Sequence, residues 1–421
     1  MSGGLDLAPL RCPRCGHTGD PRDLTTYQGC PGCAPDVPVN YVCDVPPGRV
    51  AAALRPAADR PRGHRGLWRW AGALPVDAVH AVSLGEGDTP LLPLPRLGAR
   101  FGAPRLAVKN ESANPTWSHK DRLCALAVAA ARALGATTVT AASTGNHGAS
   151  LAAYAARAGL HCVIFTLASV PATMKTLMLS YGADVVAVPT SEHRYVLMAE
   201  GVRRHGWYPA SNGSGRPVGS TPYGIDGYKT IAYELFEQLG GRVPDAVVLP
   251  VTYGDCLSGV HRGFADLRAA GLVDRVPRLV AAELFGALAQ ALTGRGLPPV
   301  PTRETVAFSI STPRATHQAV EAIRATGGIA VPVTEEELLE AGYLLATNEG
   351  LFVEASSAVG VAAVGTLVRA GRIRPDDEVV CVLTSSGLKD PDAGRALLPD
   401  VPVIDLDQAA PAEVVAQLDQ R

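Results

Sequence analysis

The sequence predicts an α/β protein built on mostly parallel sheets, with a separate cysteine-rich segment near its N-terminal end. From residue 105 onward, strand-like and helix-like segments alternate along the chain. This alternation is typical of parallel sheets that helices cover on both faces. Strands are expected near residues 105–109, 137–142, 161–165, 184–188, 246–250, 278–283, 329–333 and 378–384.

Two Cys-x-x-Cys pairs near the N-terminal end predict a metal site. They are Cys12, Cys15, Cys30 and Cys33, with fourteen residues between the pairs. Four thiolates in two such hairpins match a tetrahedral Zn²⁺ site of the zinc-ribbon type. The alternatives are a metal-free relic, a redox pair, or a ligand set that uses Cys43 or His17. Because four ligands leave no open coordination position, we expect a structural zinc ion.

The composition narrows the class of protein. Of the 421 residues, 47% are hydrophobic and 19% are charged, which is typical of an ordinary soluble globular protein. The net charge of −2 argues against a nucleic acid or an anionic membrane as partner. The first residues show no basic region followed by an apolar stretch, and the nine cysteines do not resemble a disulfide framework. We therefore expect a cytoplasmic protein.

The segment from Asn114 to Arg122 places one lysine at the mouth of a predicted helix over residues 122–134. Ser118 is the predicted N-cap, and Asp121 three residues later would complete a capping box. Lys120 would then project from a fixed first turn, as a lysine that forms a Schiff base must. A solvated surface lysine would give the same local pattern, so this segment alone does not decide the function.

A second motif, Ser-Thr-Gly-Asn-His-Gly at 143–148, follows a predicted strand and precedes a predicted helix over 149–158. A strand, a loop of small residues and a helix N-terminus together present backbone N–H groups to an anion such as a carboxylate. Glycine-rich turns of this kind are common in α/β domains. The loop by itself is therefore not specific for a function, whereas its combination with the lysine motif is much more specific.

Together the two motifs resemble those of the threonine synthase branch of the pyridoxal-phosphate enzymes of fold type II. The resemblance extends over nearly the whole chain. It implies that Lys120 carries pyridoxal 5′-phosphate and that Asn146 hydrogen-bonds the phenolate of the cofactor ring. It also implies a substrate site, with the carboxylate bound by the loop and two further residues beside the lysine: Ser143, Thr144, His147, Ser118 and His119.

Two more segments match the family in their place along the chain. The segment 380–390 resembles the family's Thr-Gly-x-Gly-Leu-Lys-Asp loop, which implies that Thr384 meets the pyridine nitrogen, with Ser385 as second choice. The segment 251–256, between a strand and a helix over 257–269, corresponds to the cofactor phosphate loop and comprises Val251, Thr252, Tyr253, Gly254, Asp255 and Cys256. An aspartate beside a phosphate is unfavourable, so we expect Asp255 to point away or to cap the helix.

The resemblance implies two open, mostly parallel α/β domains with the cofactor in the cleft between them. The expected units are a zinc-ribbon-like segment at 1–45, a large cofactor-binding domain at 46–122 and 221–405, a small mobile domain at 123–220, and a C-terminal tail at 406–421. The expected assembly is a homodimer, and the expected partner is a small amino-acid substrate.

Three functions are consistent with these motifs. The first is threonine synthesis from O-phosphohomoserine, in which phosphate leaves the γ carbon and water adds at the β carbon. The second is β-elimination or β-replacement on threonine, serine or an activated derivative. The third is a binding protein that has kept the fold without the chemistry. For a substrate phosphate the candidate partners are Lys175, Lys229, Arg314 and Ser118, and their spacing does not choose among them.

Several positions depart from the threonine synthase pattern. Trp117 replaces a glycine and His119 a phenylalanine in the lysine motif, and Ser385-Ser386 replaces Gly-x after Thr384. Thr252-Tyr253 replaces small residues in the phosphate loop. Two readings stay open: the changes are neutral drift in a packed shell, or together they narrow or alter the substrate pocket, in which case threonine formation would be slow or absent. His119 would also bring a group that titrates near neutral pH beside the lysine.

Overall fold

The structure is a computed structural model, and it describes residues 6–33, 37–55, 65–212, 215–294, 296–395, 398–401, 403–404, 411–412 and 415. The strands in this part of the chain are β1 (Leu10–Arg11), β2 (Thr18–Gly19), β3 (Val42–Cys43), β4 (Leu91–Pro93), β5 (Leu106–Asn110), β6 (Thr138–Ala142), β7 (His161–Leu167), β8 (Asp184–Val188), β9 (Tyr208–Pro209), β10 (Ala246–Pro250), β11 (Arg278–Glu283), β12 (Ile329–Pro332) and β13 (Val379–Leu383).

The α-helices in the described residues surround two of the sheets. They are α1 (Pro47–Ala53), α2 (Pro95–Phe101), α3 (Lys120–Ala133), α4 (Asn146–Ala158), α5 (Ala172–Ser180), α6 (Ser191–His205), α7 (Pro222–Ile225), α8 (Lys229–Gln238), α9 (Asp255–Ala269), α10 (Ala287–Leu292), α11 (His317–Ala325), α12 (Glu335–Glu349) and α13 (Ala355–Arg369). None of the described helices is long and apolar enough to cross a membrane.

The strands form two parallel sheets and one small antiparallel sheet. The larger sheet has the order β12-β11-β10-β13-β5-β4, and only β4, at the edge, runs antiparallel to its neighbour. The second sheet has the order β8-β7-β6-β9, and its strands run parallel. The antiparallel sheet, β2-β1-β3, belongs to the N-terminal segment. The predicted α/β class with mostly parallel sheets is therefore confirmed.

The strands expected from residue 105 onward all form, with bounds that differ by at most two residues from the prediction. The sequence pattern missed β1 to β4 and β9, which are two or three residues long and too short to show a periodicity. The four-stranded sheet is drawn from residues 138–209, and the six-stranded sheet from residues 91–383. The exact division into domains stays a prediction, and most of the expected tail at 406–421 lies outside the described residues.

Helix α3 lies in the centre of the molecule. Every residue from Asp121 to Ala131 is buried, so the helix has no solvated face in that stretch. Alanines fill much of it, and their small side chains allow α4 and α7 to pack closely against the helix backbone. Burial on all sides fixes α3, and with it the direction in which Lys120 leaves its first turn.

The predicted capping box at the start of α3 is wrong. The helix begins at Lys120, and its N-cap position is occupied by His119, whose side chain makes no capping hydrogen bond. The Asp121 carboxylate instead accepts hydrogen bonds from the Thr116 backbone N–H at 2.7 Å and from Ser150 Oγ at 2.6 Å. These partners are available because Asp121 is fully buried against α4, where its carboxylate needs fixed donors.

A cluster of four fully buried charges ties α3 to its surroundings. Arg122 Nε lies 2.7 Å from Glu111 Oε2, and Arg122 Nη1 lies 2.6 Å from Glu234 Oε1. Glu234 Oε2 also accepts from Lys109 Nζ at 2.5 Å. The cluster joins α3 to β5, to α8 and to the residue that follows β5. Two positive and two negative charges balance one another, which is the condition for burying them.

The Glu234 carboxylate should contribute strongly to the stability of the fold. Replacing Glu234 with glutamine leaves Arg122 and Lys109 buried with one carboxylate fewer, so the free energy of unfolding at pH 7 should fall by about 3–5 kcal/mol. Burial alone would raise the pKa of Glu234, but Arg122 and Lys109 lower it from 4.5 to about 2. A depressed pKa stabilises the fold above pH 4.5, and this contribution is lost as the pH falls from 4.5 toward 2.

Urea unfolding at pH 7, 5 and 3.5 checks this expectation. The difference in unfolding free energy between wild type and E234Q should shrink toward acid pH. The control is E200Q, because Glu200 pairs with Arg203 on the surface of α6 and its loss should change stability little. Equal losses in E234Q and E200Q, or a difference that does not depend on pH, would contradict the assignment.

Candidate active site

A cavity of about 300 Å³ opens where strands of both parallel sheets end. Its wall includes Ser143 after β6, Leu167 at the end of β7, Thr252 after β10 and Thr384 after β13. The carboxyl ends of parallel strands are the usual place for a ligand in an open α/β fold. Here the cavity receives residues from both sheets.

The cavity collects nearly all the residues that the sequence motifs singled out, although these come from four distant parts of the chain. Those that line it are Lys120, His119, Ser143, Thr144, Asn146, His147, Thr252, Tyr253, Gly254, Asp255, Cys256 and Thr384. Ser385, the second choice beside Thr384, and Ser118 do not line it. Ser118 is fully buried, and its Oγ accepts the Lys120 backbone N–H at 3.2 Å, so this side chain holds the start of α3. Its role as a substrate ligand stays a prediction.

Lys120 stands beside an aromatic wall. Its Nζ lies 5.7 Å from the centroid of the Tyr228 ring, and the His119 imidazole stacks on the same ring with centroids 5.3 Å apart. Tyr228 is itself fully buried, which fixes the wall. The amine thus projects into the cavity from a rigid turn.

The two histidines near Lys120 are neutral at physiological pH. Burial and the nearby Lys120 charge hold the pKa of His119 well below its usual range, and they lower that of His147 to about 3. The expectation that His119 titrates near neutral pH is therefore wrong. His119 Nδ1 lies 3.0 Å from the Thr384 carbonyl oxygen. Because a carbonyl only accepts, Nδ1 carries the proton and donates it.

Asn146 is held in place by a buried polar network. Its Nδ2 donates to Glu354 Oε2 at 2.7 Å, and its Oδ1 accepts from Lys389 Nζ at 2.8 Å and from Ser385 Oγ at 3.1 Å. One of the two amide hydrogens remains for a ligand. Burial lowers the pKa of Lys389 to about 8, while Glu354 favours its charged form. The network fixes which way the Asn146 amide faces.

The N-terminus of α4 forms a cradle for an anion. The first backbone N–H groups of a helix have no partner inside it, and here they belong to residues that line the cavity. Ser143 Oγ accepts from the backbone N–H groups of Gly148 at 2.9 Å and Gly145 at 3.2 Å. Its own hydrogen is then left to donate, so the loop offers donors and no acidic group to a substrate carboxylate.

A second cradle lies at the N-terminus of α9. Gly254 caps this helix with a φ of +74°, and a Cβ there would come within 2.5 Å of the Ala319 Cβ. Only glycine fits. The Asp255 carboxylate accepts hydrogen bonds from Ser220 Oγ at 2.7 Å and from Gln318 Nε2 at 2.6 Å. It makes no capping bond, and its charge is engaged elsewhere.

The positions that depart from the threonine synthase pattern divide into two groups. His119, Thr252 and Tyr253 line the cavity. Trp117 does not line it; this residue is 42% exposed and has a φ of +60°, a conformation that favours glycine. Ser385 contacts Asn146 without lining the cavity. Much of the divergence therefore lies outside the pocket wall.

The four predicted zinc ligands lie together. All their Sγ atoms are within 4.8 Å of one another. Cys43 and His17 do not join this group: Cys43 is buried on β3, and His17 Nδ1 lies 2.9 Å from the Tyr41 hydroxyl. The alternative ligand sets are therefore not assembled in the described residues.

Several cavity residues were not predicted. They include Ser191, Arg194 and Tyr195 on α6, and the segment from Phe308 to Pro313. The serines and threonines of that segment were visible in the sequence as a polar run. Arg194 lies within an ordinary helical pattern, which gives no indication that its side chain faces a cavity.

The chain is similar to known proteins over most of its length. The family model for pyridoxal-phosphate dependent enzymes matches residues 82–385. This chain belongs to that family. Threonine synthase of Methanocaldococcus jannaschii is 36% identical over 392 residues, which cover 91% of this chain and 93% of that protein. The threonine synthases of Methanosarcina acetivorans and Mycobacterium leprae are each 35% identical, over 83% and 81% of this chain and 86% and 92% of their own lengths.

Solved structures agree on the fold. The L-serine ammonia-lyase of Rhizomucor miehei superimposes with a TM-score of 0.63 at 23% identity, covering 73% of this chain and 97% of that one. O-ureido-L-serine synthase gives 0.61 at 22% identity, covering 78% of this chain and 96% of that one. This likeness establishes fold type II. With the threonine synthase relatives, it makes the chain a pyridoxal-phosphate-dependent lyase.

The cavity of this pyridoxal-phosphate enzyme fits its cofactor. It offers one lysine amine, a glycine-capped helix N-terminus for the phosphate and a threonine hydroxyl at the end of β13. The fit rests on the donor chemistry of the wall and on the space that Gly254 leaves open.

Proposed function

We propose that this lyase makes threonine from O-phosphohomoserine, with loss of phosphate from the γ carbon and addition of water at the β carbon. The similarity to threonine synthases over more than four-fifths of the chain supports this reaction. The observation that carries the proposal is the convergence of Lys120, Asn146 and the α4 cradle on one cavity.

Lys120 is proposed to attach pyridoxal 5′-phosphate and to move the proton at the substrate α carbon. The bound cofactor would supply an electron sink for the carbanion that forms there. A rigid first turn and the Tyr228 ring keep the amine at one place in the cavity. Burial lowers the pKa values of His119 and His147, which leaves the Lys120 amine as the proposed acid–base group among the motif residues of the cavity.

The remaining predicted residues orient the reactants. Ser143, Thr144 and the N–H groups of α4 would bind the substrate carboxylate. The free amide hydrogen of Asn146 would meet the ring oxygen of the cofactor. Thr384 Oγ1, which lies 2.8 Å from Ser357 Oγ, would meet the pyridine nitrogen. A neutral hydroxyl at that nitrogen leaves the ring a weaker electron sink, which suits elimination and replacement.

Zinc is proposed as a structural ion held by Cys12, Cys15, Cys30 and Cys33. The mutual distances of their sulfur atoms support a single tetrahedral site. The segment that carries them contacts the rest of the enzyme through backbone acceptors: Asn40 Nδ2 donates to the Ser220 carbonyl, and the Tyr223 hydroxyl donates to the Ala8 carbonyl. The metal would fold this segment and take no part in the chemistry.

Lys120→Ala should abolish turnover and remove the visible absorbance of lysine-bound cofactor, because Lys120 is the lysine that lines the cavity in the described part of the chain. The matched control is Lys175→Ala, since Lys175 does not line the cavity and donates to the Ala168 carbonyl. Borohydride reduction of the wild type followed by peptide mapping should place the cofactor on Lys120. Labelling of Lys109 or Lys175 instead would overturn the assignment.

The substrate is tested by offering O-phosphohomoserine, O-phosphoserine, O-acetylserine, serine and threonine in parallel. We expect threonine and phosphate from O-phosphohomoserine in equal amounts, with kcat/KM well above that for the other four compounds. Products are followed by amino-acid analysis and phosphate release. Preferential pyruvate or 2-oxobutyrate formation from serine or threonine would instead establish β-elimination. Absence of both cofactor absorbance and turnover would leave only a binding function.

Cys12→Ser combined with Cys15→Ser should remove the zinc and leave residues 1–45 open to proteolysis, because the metal's binding energy is folding energy for such a segment. Cofactor absorbance should largely persist. Cys43→Ala is the control, because Cys43 belongs to the same segment but not to the cluster. Elemental analysis should find about one zinc ion per chain in the wild type and in the control. A content well below that in freshly purified wild type would refute the site.

A further inference from the structure

Arg194 is a buried cation without an acidic partner. Only 7% of its surface is exposed, and it lines the cavity. Nη2 donates to Ser191 Oγ at 2.6 Å, while Nε is buried and has no hydrogen-bond partner in the described part of the chain. No carboxylate of the described residues lies within ion-pair distance of Arg194. Burying a guanidinium in this way is unfavourable unless a ligand supplies the missing anion.

The carboxylates of the cavity region are already engaged with other groups. Asp255 accepts from Ser220 and Gln318, and Glu354 accepts from Asn146 and Ser309. Burial lowers the pKa of Arg194, and no neighbouring carboxylate counters that effect. Arg194 therefore lines a cavity whose nearby carboxylates are hydrogen-bonded to other residues and do not pair with it.

We propose that Arg194 binds the distal phosphate of the substrate, in a subsite completed by the hydroxyls of Ser191 and Tyr195. This assignment rests on the proposed function and selects its substrate class: amino acids that carry a phosphate at the end of the side chain. A guanidinium offers two parallel N–H groups to phosphate oxygens, and it stabilises the charge that grows on the leaving phosphate.

The cofactor phosphate has a different place. The N-terminus of α9 offers it backbone N–H groups beside Gly254. Arg194 lies on α6, which belongs to the other sheet, and Tyr195 reaches toward the phosphate loop with its hydroxyl 3.5 Å from that of Tyr253. Tyr253, one of the departures from the family pattern, thus stands between the two anion sites. The residues first considered for the substrate phosphate do not compete: Lys229 pairs with Asp266, and Lys175 and Arg314 do not line the cavity.

The test compares Arg194→Ala, Arg194→Gln and Arg194→Lys with wild type in the full-length holoenzyme. The probes are an unreactive amino acid with a terminal phosphonate, serine, and pyridoxal 5′-phosphate itself. Binding is read from the cofactor absorbance and from calorimetry, and kcat/KM is measured with O-phosphohomoserine. The matched control is Arg203→Ala, since Arg203 lies on the same helix but is exposed and paired with Glu200.

In R194A and R194Q, the phosphonate should bind roughly 10- to 100-fold more weakly, the range for one charge-assisted contact. Serine and the cofactor should bind as in wild type, and R194K should recover part of the loss. Inorganic phosphate should compete with the phosphonate in wild type but not in R194Q. Because this comparison does not use R194A, it can be made even if R194A fails to fold. R203A should behave as wild type.

Three results would overturn the subsite. Equal weakening of serine and phosphonate would make Arg194 a structural residue, loss of cofactor affinity would assign it to the cofactor phosphate, and unchanged phosphonate binding would leave it without a ligand. A failure of the proposed reaction can be told apart from a failure of the subsite. Phosphonate binding that depends on Arg194, in an enzyme that forms no threonine, would retain the subsite and reject threonine synthesis.

Discussion

The buried charge cluster around Arg122 is the constraint on which the site depends. Arg122 follows Lys120 by two residues in α3. Its buried guanidinium is held by Glu111, which follows β5, and by Glu234 on α8. Because buried charges tolerate no loss of partner, α3 cannot rotate or slide without a large free-energy penalty. The cluster therefore fixes the position of Lys120 without touching the cavity.

The titratable groups around Lys120 are either neutral or hydrogen-bonded to other residues. The two histidines are neutral, Asp121 is turned toward Thr116 and Ser150, and Asp255 toward Ser220. Among the described residues, the donors that face the cavity include backbone N–H groups at two helix N-termini and the Arg194 side chain. Such a wall attracts anions at several points, as a reaction between a phosphorylated cofactor and an amino acid requires.

The positions that depart from the threonine synthase pattern differ in whether they contact the cavity. Trp117 adopts the backbone conformation that a glycine would take without strain, and its ring is partly exposed outside the cavity. Its main effect is on the local backbone rather than on the pocket. Tyr253, in contrast, lines the cavity, and its hydroxyl lies 3.5 Å from that of Tyr195 on α6. This departure therefore changes the pocket wall itself.

The sequence by itself determined the α/β class, the main strands, the four clustered cysteines and the motif residues that line the cavity, because each depends on local patterns or on spacing within a few residues. Tertiary structure alone decided that Asp121 leaves its helix terminus for Ser150, that Glu354 and Lys389 hold Asn146, and that Arg194 faces the cavity without a counter-ion. These features join residues far apart in the chain, and whether a charged side chain is buried with or without a partner depends on what the folded chain brings beside it.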